Sequence, residues 1–104
     1  MTKLNMLLEA FQAWIQNRKA ALEQHGFSVA AVAVGQDTEK PAVVADLESS
    51  AWLARITIWN TGECDMEKLD ARSGQSYFEN CIISGSNAFD SKLEGFLANL
   101  MQSR

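Results

Sequence analysis

Carboxylates are the residues of this 104-residue chain best placed to do chemistry. Asp65 and Glu67 stand two apart in ECDMEKLD, so in a strand they share a face, and Asp46 of VVADLE can join them from a neighbouring strand. Such carboxylates can serve as general acid and base or hold a divalent ion. The strand register worked out below puts them on an open sheet face and not in a cleft, so an acid row facing solvent or a partner is the better reading. His25 is the only histidine, and without it no Ser-His-Asp or Cys-His arrangement can be assembled. It is expected in the last turn of a helix, where a cation suits the helix dipole. Cys64 and Cys81 fit neither a zinc spacing nor a CxxC motif and are expected to be buried thiols. The six glycines are scattered, so there is no phosphate-binding loop. No catalytic residue, metal site or cofactor is expected.

The charge distribution is more informative. The net charge is −4. Between Asp37 and Asp70 there are eight acids and three bases, whereas the rest of the chain has five acids and six bases. That map argues against a nucleic-acid binder, which needs a basic footprint. It permits a basic protein partner, the alternative being a solvated acidic face. No apolar run approaches the ~20 residues of a membrane span. MTKLNMLLEAFQAW interleaves polar and apolar residues, unlike a signal peptide, and a cytoplasmic protein is expected. The length is that of one domain, 1–104.

Two amphipathic helices and five strands must position these side chains. Leu4, Leu7, Leu8, Phe11, Trp14, Ile15, Arg18 and Leu22 predict a helix over 3–24, with Thr2 as N-cap and Gly26 in the left-handed C-cap position. FSVAAVAV, 27–34, is apolar on both faces and predicts a strand well inside the sheet or covered on both sides. Strands follow at 42–47, 52–59, 63–70 and 76–84, the second opened by Pro41. Asn87 with Asp90 suggests a weak capping box before a last helix, 88–102, which presents Phe89, Leu93, Phe96, Leu97 and Leu100. Gly95 costs this helix about 1 kcal/mol relative to Ala and is expected to let the backbone approach the sheet. Short connections make the strands antiparallel. The expected fold is α+β: helix, five-stranded antiparallel meander, helix, a two-layer sandwich with both helices on one sheet face.

Register arithmetic then sorts the faces. A three-residue Asn60-Thr61-Gly62 loop with Gly62 left-handed pairs Trp59 with Glu63, Ile58 with Cys64, Ile56 with Met66 and Arg55 with Glu67. A two-residue loop would set Ile58 against Asp65, and a one-residue slip turns every side chain over. One strand back, pairing Leu47 with Trp52 brings Val43 to Ile56 and Ala45 to Ala54. The outcome is an apolar face for the helices and a polar face carrying Asp46, Arg55, Thr57, Trp59, Glu63, Asp65 and Glu67. Trp14 and Trp52 are core by spacing. Trp59, an aromatic among acids, has the character of a binding anchor, or else caps the sheet edge.

PAVVADLESS and LARITIWNTGECDMEKLDARSGQ, most specifically Gly62-Glu63-Cys64-Asp65 with Glu67, Leu69 and Asp70, resemble the TriTu-type immunity proteins of polymorphic and contact-dependent bacterial toxin systems. The resemblance covers Pro41 to Gln75, about a third of the chain. It implies a non-enzymatic inhibitor that binds and neutralises a cognate toxin domain. Such toxins are often nucleases, usually basic, which an acidic face would suit. On that reading the partner-binding residues are Asp46, Glu48, Arg55, Trp59, Glu63, Asp65 and Glu67. The alternatives are a small acidic secretion chaperone or adaptor and, more remotely, an enzyme using the carboxylates.

Overall fold

A computed structural model describes residues 6–102. The predicted Thr2 cap and the helix start at residues 3–5 lie outside the described residues. The order is α1 (Met6–Gln24), β1 (Ser28–Val34), β2 (Ala42–Glu48), β3 (Trp52–Trp59), β4 (Glu63–Asp70), β5 (Ser76–Ile82), a 3-10 turn (Ser86–Ala88) and α2 (Phe89–Gln102). The strands form one antiparallel sheet in the order β1-β2-β3-β4-β5. This is the predicted α+β meander.

One apolar cluster holds the two layers together. Leu8, Phe11, Trp14, Ile15 and Leu22 of α1, with Phe89, Leu93, Leu97 and Leu100 of α2, pack on Val43, Ala45, Leu47, Trp52, Ile56, Ile58, Cys64 and Met66. The sheet residues in this set are the inward members of their strands, so both helices cover the same face. α1 ends as its Gly26 predicted. Phe27 N–H donates to Leu22 O and Gly26 N–H to Glu23 O, both at 3.0 Å, and Gly26 has φ +89°. This pair of hydrogen bonds satisfies two of the last carbonyls and turns Phe27 into the core.

Several expectations are corrected. β1 is an edge strand, and none of its seven residues is fully buried. Val29, Ala31 and Ala33 pack partly buried against the core, whereas Val32 and Val34 on the other face are exposed. The β2–β3 register differs by two residues: Leu47 opposes Ala54, Ala45 opposes Ile56 and Val43 opposes Ile58. The turn is tighter than the sequence suggested because Ser49 Oγ accepts the N–H groups of Ala51 and Trp52 at 3.2 and 3.1 Å. A shift of two leaves every side chain on its predicted face, but it sets Asp46 directly opposite Arg55. The β3–β4 register agrees with expectation from Ile58–Cys64 to Arg55–Glu67.

At the start of α2, Gly85 precedes the 3-10 turn with no side-chain cap, so Asn87 and Asp90 form no capping box. Asp90 is engaged elsewhere: its Oδ1 accepts Trp14 Nε1–H at 2.9 Å and Arg18 Nη2–H at 2.8 Å. Arg18 also donates to Glu94 at 2.9 Å and stacks 4.0 Å from the centre of the Trp14 ring. These contacts clasp α1 to α2. Gly95 does not admit the sheet backbone, since a Cβ built there meets nothing within 4 Å. Gly95→Ala is therefore expected to stabilise the protein by roughly 0.5–1 kcal/mol, read as a higher urea midpoint at unchanged m-value.

Candidate partner-binding face

The side of the sheet away from the helices is laid out by the strand pairings. One row runs Ala30, Asp46, Arg55, Glu67, Phe78, and the next runs Val32, Val44, Thr57, Asp65, Asn80. Beyond the first lies Ser28, Glu48, Leu53, Leu69, Ser76. Trp59 and Glu63 flank the β3–β4 loop on the same side, near Ile82. All seven residues singled out in the sequence therefore share one face, which carries five carboxylates and one guanidinium.

The charges are arranged in two ways. Arg55 grips Asp46 with two hydrogen bonds, Nε–H to Oδ1 at 2.7 Å and Nη2–H to Oδ2 at 3.3 Å. The Asp46 hydrogen bond and charge, with a smaller contribution from Glu67, hold the guanidinium pKa above its ordinary value. Lys40 sits at one end, paired to Glu63, with its ammonium 5.3 Å from the centre of the Trp59 ring. Trp59 is half-buried under this cation. Glu48, Asp65 and Glu67 make no ion pair among the described residues. A groove of about 490 Å³ runs past Asp46, Arg55 and Glu67 and is walled by Leu53, Leu69 and Phe78.

The face is not uniformly polar, which corrects the expected polar surface. Its carboxylates are bordered by exposed apolar side chains: Phe78 at 62%, Ile82 at 60%, Val32 at 56%, Val34 at 42% and Leu53 at 41%. These exceed the half-buried Trp59 as candidates for desolvated contact. Sequence reasoning missed them, although a signal was present. SYFENCI alternates so that Phe78 and Ile82 share the side of the acid row, and SVAAVAV has a second apolar face that no described residue covers.

The opposite face offers little chemistry. Cys64 and Cys81 oppose each other across β4 and β5, the first buried and the second half-buried. Burial pushes the Cys64 thiol pKa up, with the neighbouring Cys81 adding to it, so it stays protonated and inert. His25 Nδ1 lies 2.9 Å from Ala21 O at the end of α1, the surface position expected for it. Among the described residues no three His, Cys, Asp or Glu side chains gather as a metal site would require. Among the described residues no helix is long and apolar enough to cross a membrane.

Two carboxylates tie acid stability to the loops. Lys40, by hydrogen bond and charge, holds Glu63 below its ordinary pKa of 4.5. The N–H groups of Arg72 and Ser73, donating to Asp70 Oδ1 at 2.9 and 3.2 Å, hold Asp70 below its ordinary 3.8. A depressed folded-state pKa gives stability that is present above the unfolded value and lost as pH falls through the folded one. Tm is therefore expected to fall as pH drops below these ordinary values. Lys40→Gln should flatten the part of that fall due to Glu63, measured by thermal melts across acid pH.

The fold and this face define a small two-layer α+β protein whose most distinctive surface is an uncovered sheet face of carboxylates rimmed by apolar side chains. The chain matches the model of the family described as Immunity protein TriTu over residues 9–99, and it belongs to that family. Membership in an immunity protein family implies a toxin protein as partner in general terms. Neither the curated proteins nor the solved structures compared with the chain gave a match.

Proposed function

We propose that this protein binds a cognate bacterial toxin domain and neutralises it through the open sheet face. The observation that carries the reading is the gathering of Asp46, Glu48, Arg55, Trp59, Glu63, Asp65 and Glu67 on the one sheet face that no helix covers, in a chain of an immunity family. The carboxylates steer a basic partner and fix its register, and the bordering Leu53, Phe78 and Ile82 supply area that gains from leaving water. Arg55 is neutralised by Asp46, so it stiffens the face while Glu67 and Asp65 keep their charge available to a partner. Inhibition needs no chemistry from this chain, only occupation of the toxin surface at or beside its active centre. A nuclease, whose substrate is an anion, is the toxin class best matched to an acidic inhibitor.

The test is co-purification with the toxin domain encoded by the neighbouring gene, followed by a toxicity assay with and without this protein. A tight complex and rescued growth are expected. No complex with that domain, or a complex without rescue, would overturn the reading.

A further inference from the structure

The free edge of β1 is unlike an ordinary sheet edge. Asn60 N–H donates to Pro41 O at 2.9 Å and Ser49 N–H to Trp52 O at 2.8 Å, so the odd-numbered residues of β2 bond to β3. The even-numbered ones then bond to β1, at Ser28, Ala30, Val32 and Val34. This leaves the N–H and C=O groups of Val29, Ala31 and Ala33 pointing out from the sheet. Edges are normally guarded by charge, proline, a bulge or a cover. Ser28–Val34 contains no charged residue and no proline. The side chains of Val29, Ala31 and Ala33 pack partly buried against the core, so the edge is open at its backbone groups.

We propose that β1 pairs with β1 of a second copy of this chain, antiparallel and centred on Ala31, into one continuous ten-stranded sheet. The strand is complementary to itself in that register. Ala31 faces its own copy and Val29 faces Ala33, all outward-bonding residues, so every free group of the edge finds a partner. On the open face Val32 lies beside Ala30 and Val34 beside Ser28. Each valine therefore meets a small residue, Ala31 meets itself, and all seven residues are used. The far edge does not fit itself in this way: full overlap of Ser76–Ile82 with its own copy would set Glu79 against Glu79, a like-charge pair. The second copy is thus the occupant that the β1 edge matches. Pairing there lays the two open faces side by side, so that one dimer presents two toxin-binding surfaces. The pairing edge adjoins the carboxylate face at Val32 and Val34, but its hydrogen-bonding groups lie outside that face and the pairing does not depend on the toxin reading.

One strand pair buries less than a standard interface, so the association is weak, with a Kd on the order of 10–100 µM. Sedimentation velocity on the purified protein should show a reversible monomer–dimer equilibrium over that range. Amide exchange at Val29, Ala31 and Ala33 should slow as concentration rises, while Phe78 and Asn80 on the other edge stay unchanged. Ala31→Pro removes only an outward N–H, and Val32→Lys puts two lysines near the two-fold axis. Each should weaken dimerisation at least about tenfold with far-UV circular dichroism unchanged. A wild-type protein that remains monomeric to about 1 mM would overturn the proposal, as would dimerisation undiminished in Val32→Lys. So would a monomeric wild type whose capture of the neighbouring-gene toxin is abolished by Ala31→Pro, since the edge would then receive a toxin strand. Loss of dimerisation in Ala31→Pro with toxin capture intact supports the proposal and leaves the carboxylate-face reading standing.

Discussion

Reversing the two free carboxylates together, Asp65→Lys with Glu67→Lys, is expected to weaken toxin binding by about 100-fold, or roughly 2.7 kcal/mol. Asp65 and Glu67 lie two apart on β4, on the same side of the sheet, between β3 and the edge strand β5. Neither is paired to a base among the described residues as Asp46 is to Arg55 and Glu63 to Lys40. A basic partner therefore loses two attractions and meets two repulsions. Because the groups are reached from solvent, much of the loss should appear as slower association at low salt, and the gap between variant and wild type should narrow as salt is added. Glu67→Lys also brings a second cation to Arg55, so the variant's Tm must be checked against wild type before the binding loss is read. Glu9→Lys with Glu23→Lys, both exposed on α1, is the matching control: it makes the same change in net charge and should change affinity little. Equal losses for the control and the double variant would mean that net charge alone, and not this face, governs association.

Gly62→Ala is expected to be the most damaging small substitution in the chain. Gly62 has φ +94°, a conformation that L side chains rarely adopt, and a Cβ there would lie 2.6 Å from Ile83 O. That oxygen belongs to backbone anchored beside the loop, because Ile83 N–H donates to Gly62 O at 2.7 Å and Ile83 is 2% exposed. Nothing at the site can swing aside cheaply. The left-handed backbone alone costs about 1–2 kcal/mol, and displacing the contact raises the total to about 3 kcal/mol. For a chain of this length that is a fall in Tm of more than about 10 °C, with the urea midpoint falling in step. A change of less than about 0.5 kcal/mol, the ordinary surface range, would mean that the β3–β4 loop is not held by Gly62. The contrast with Gly95→Ala is instructive. The same change stabilises the helix, where φ is ordinary and the space is open.

Much of the fold was legible because a few residues with single physical meanings punctuate the chain. Gly26, Gly62 and Gly74 each mark a positive φ, and strands of alternating character lie between them. Membership of the open face was legible for a related reason. It depends on parity, and parity survives the two-residue error made between β2 and β3. The parts that were not legible depend on contacts distant in sequence or on one hydroxyl. Ser49 Oγ tightens the β2–β3 turn and so creates the Asp46–Arg55 pair. Asp90 abandons the helix cap for Trp14 and Arg18, more than seventy positions away. The apolar rim was hidden because hydrophobicity on both sides of a strand usually signals burial. Only the strand order shows that β1 and β5 are edges, on which Val32, Phe78 and Ile82 stand exposed.

The central claim is that the toxin sits on the uncovered sheet face. Cross-saturation from an unlabelled toxin domain to the methyl groups of this protein reads that surface directly. Saturation is expected at Leu53, Leu69 and Ile82, which stand among the carboxylates, and not at Ala13 or Ala20 on the solvent side of α1. Saturation confined to the helix methyls, with Leu53, Leu69 and Ile82 silent in a tight complex, would contradict the account.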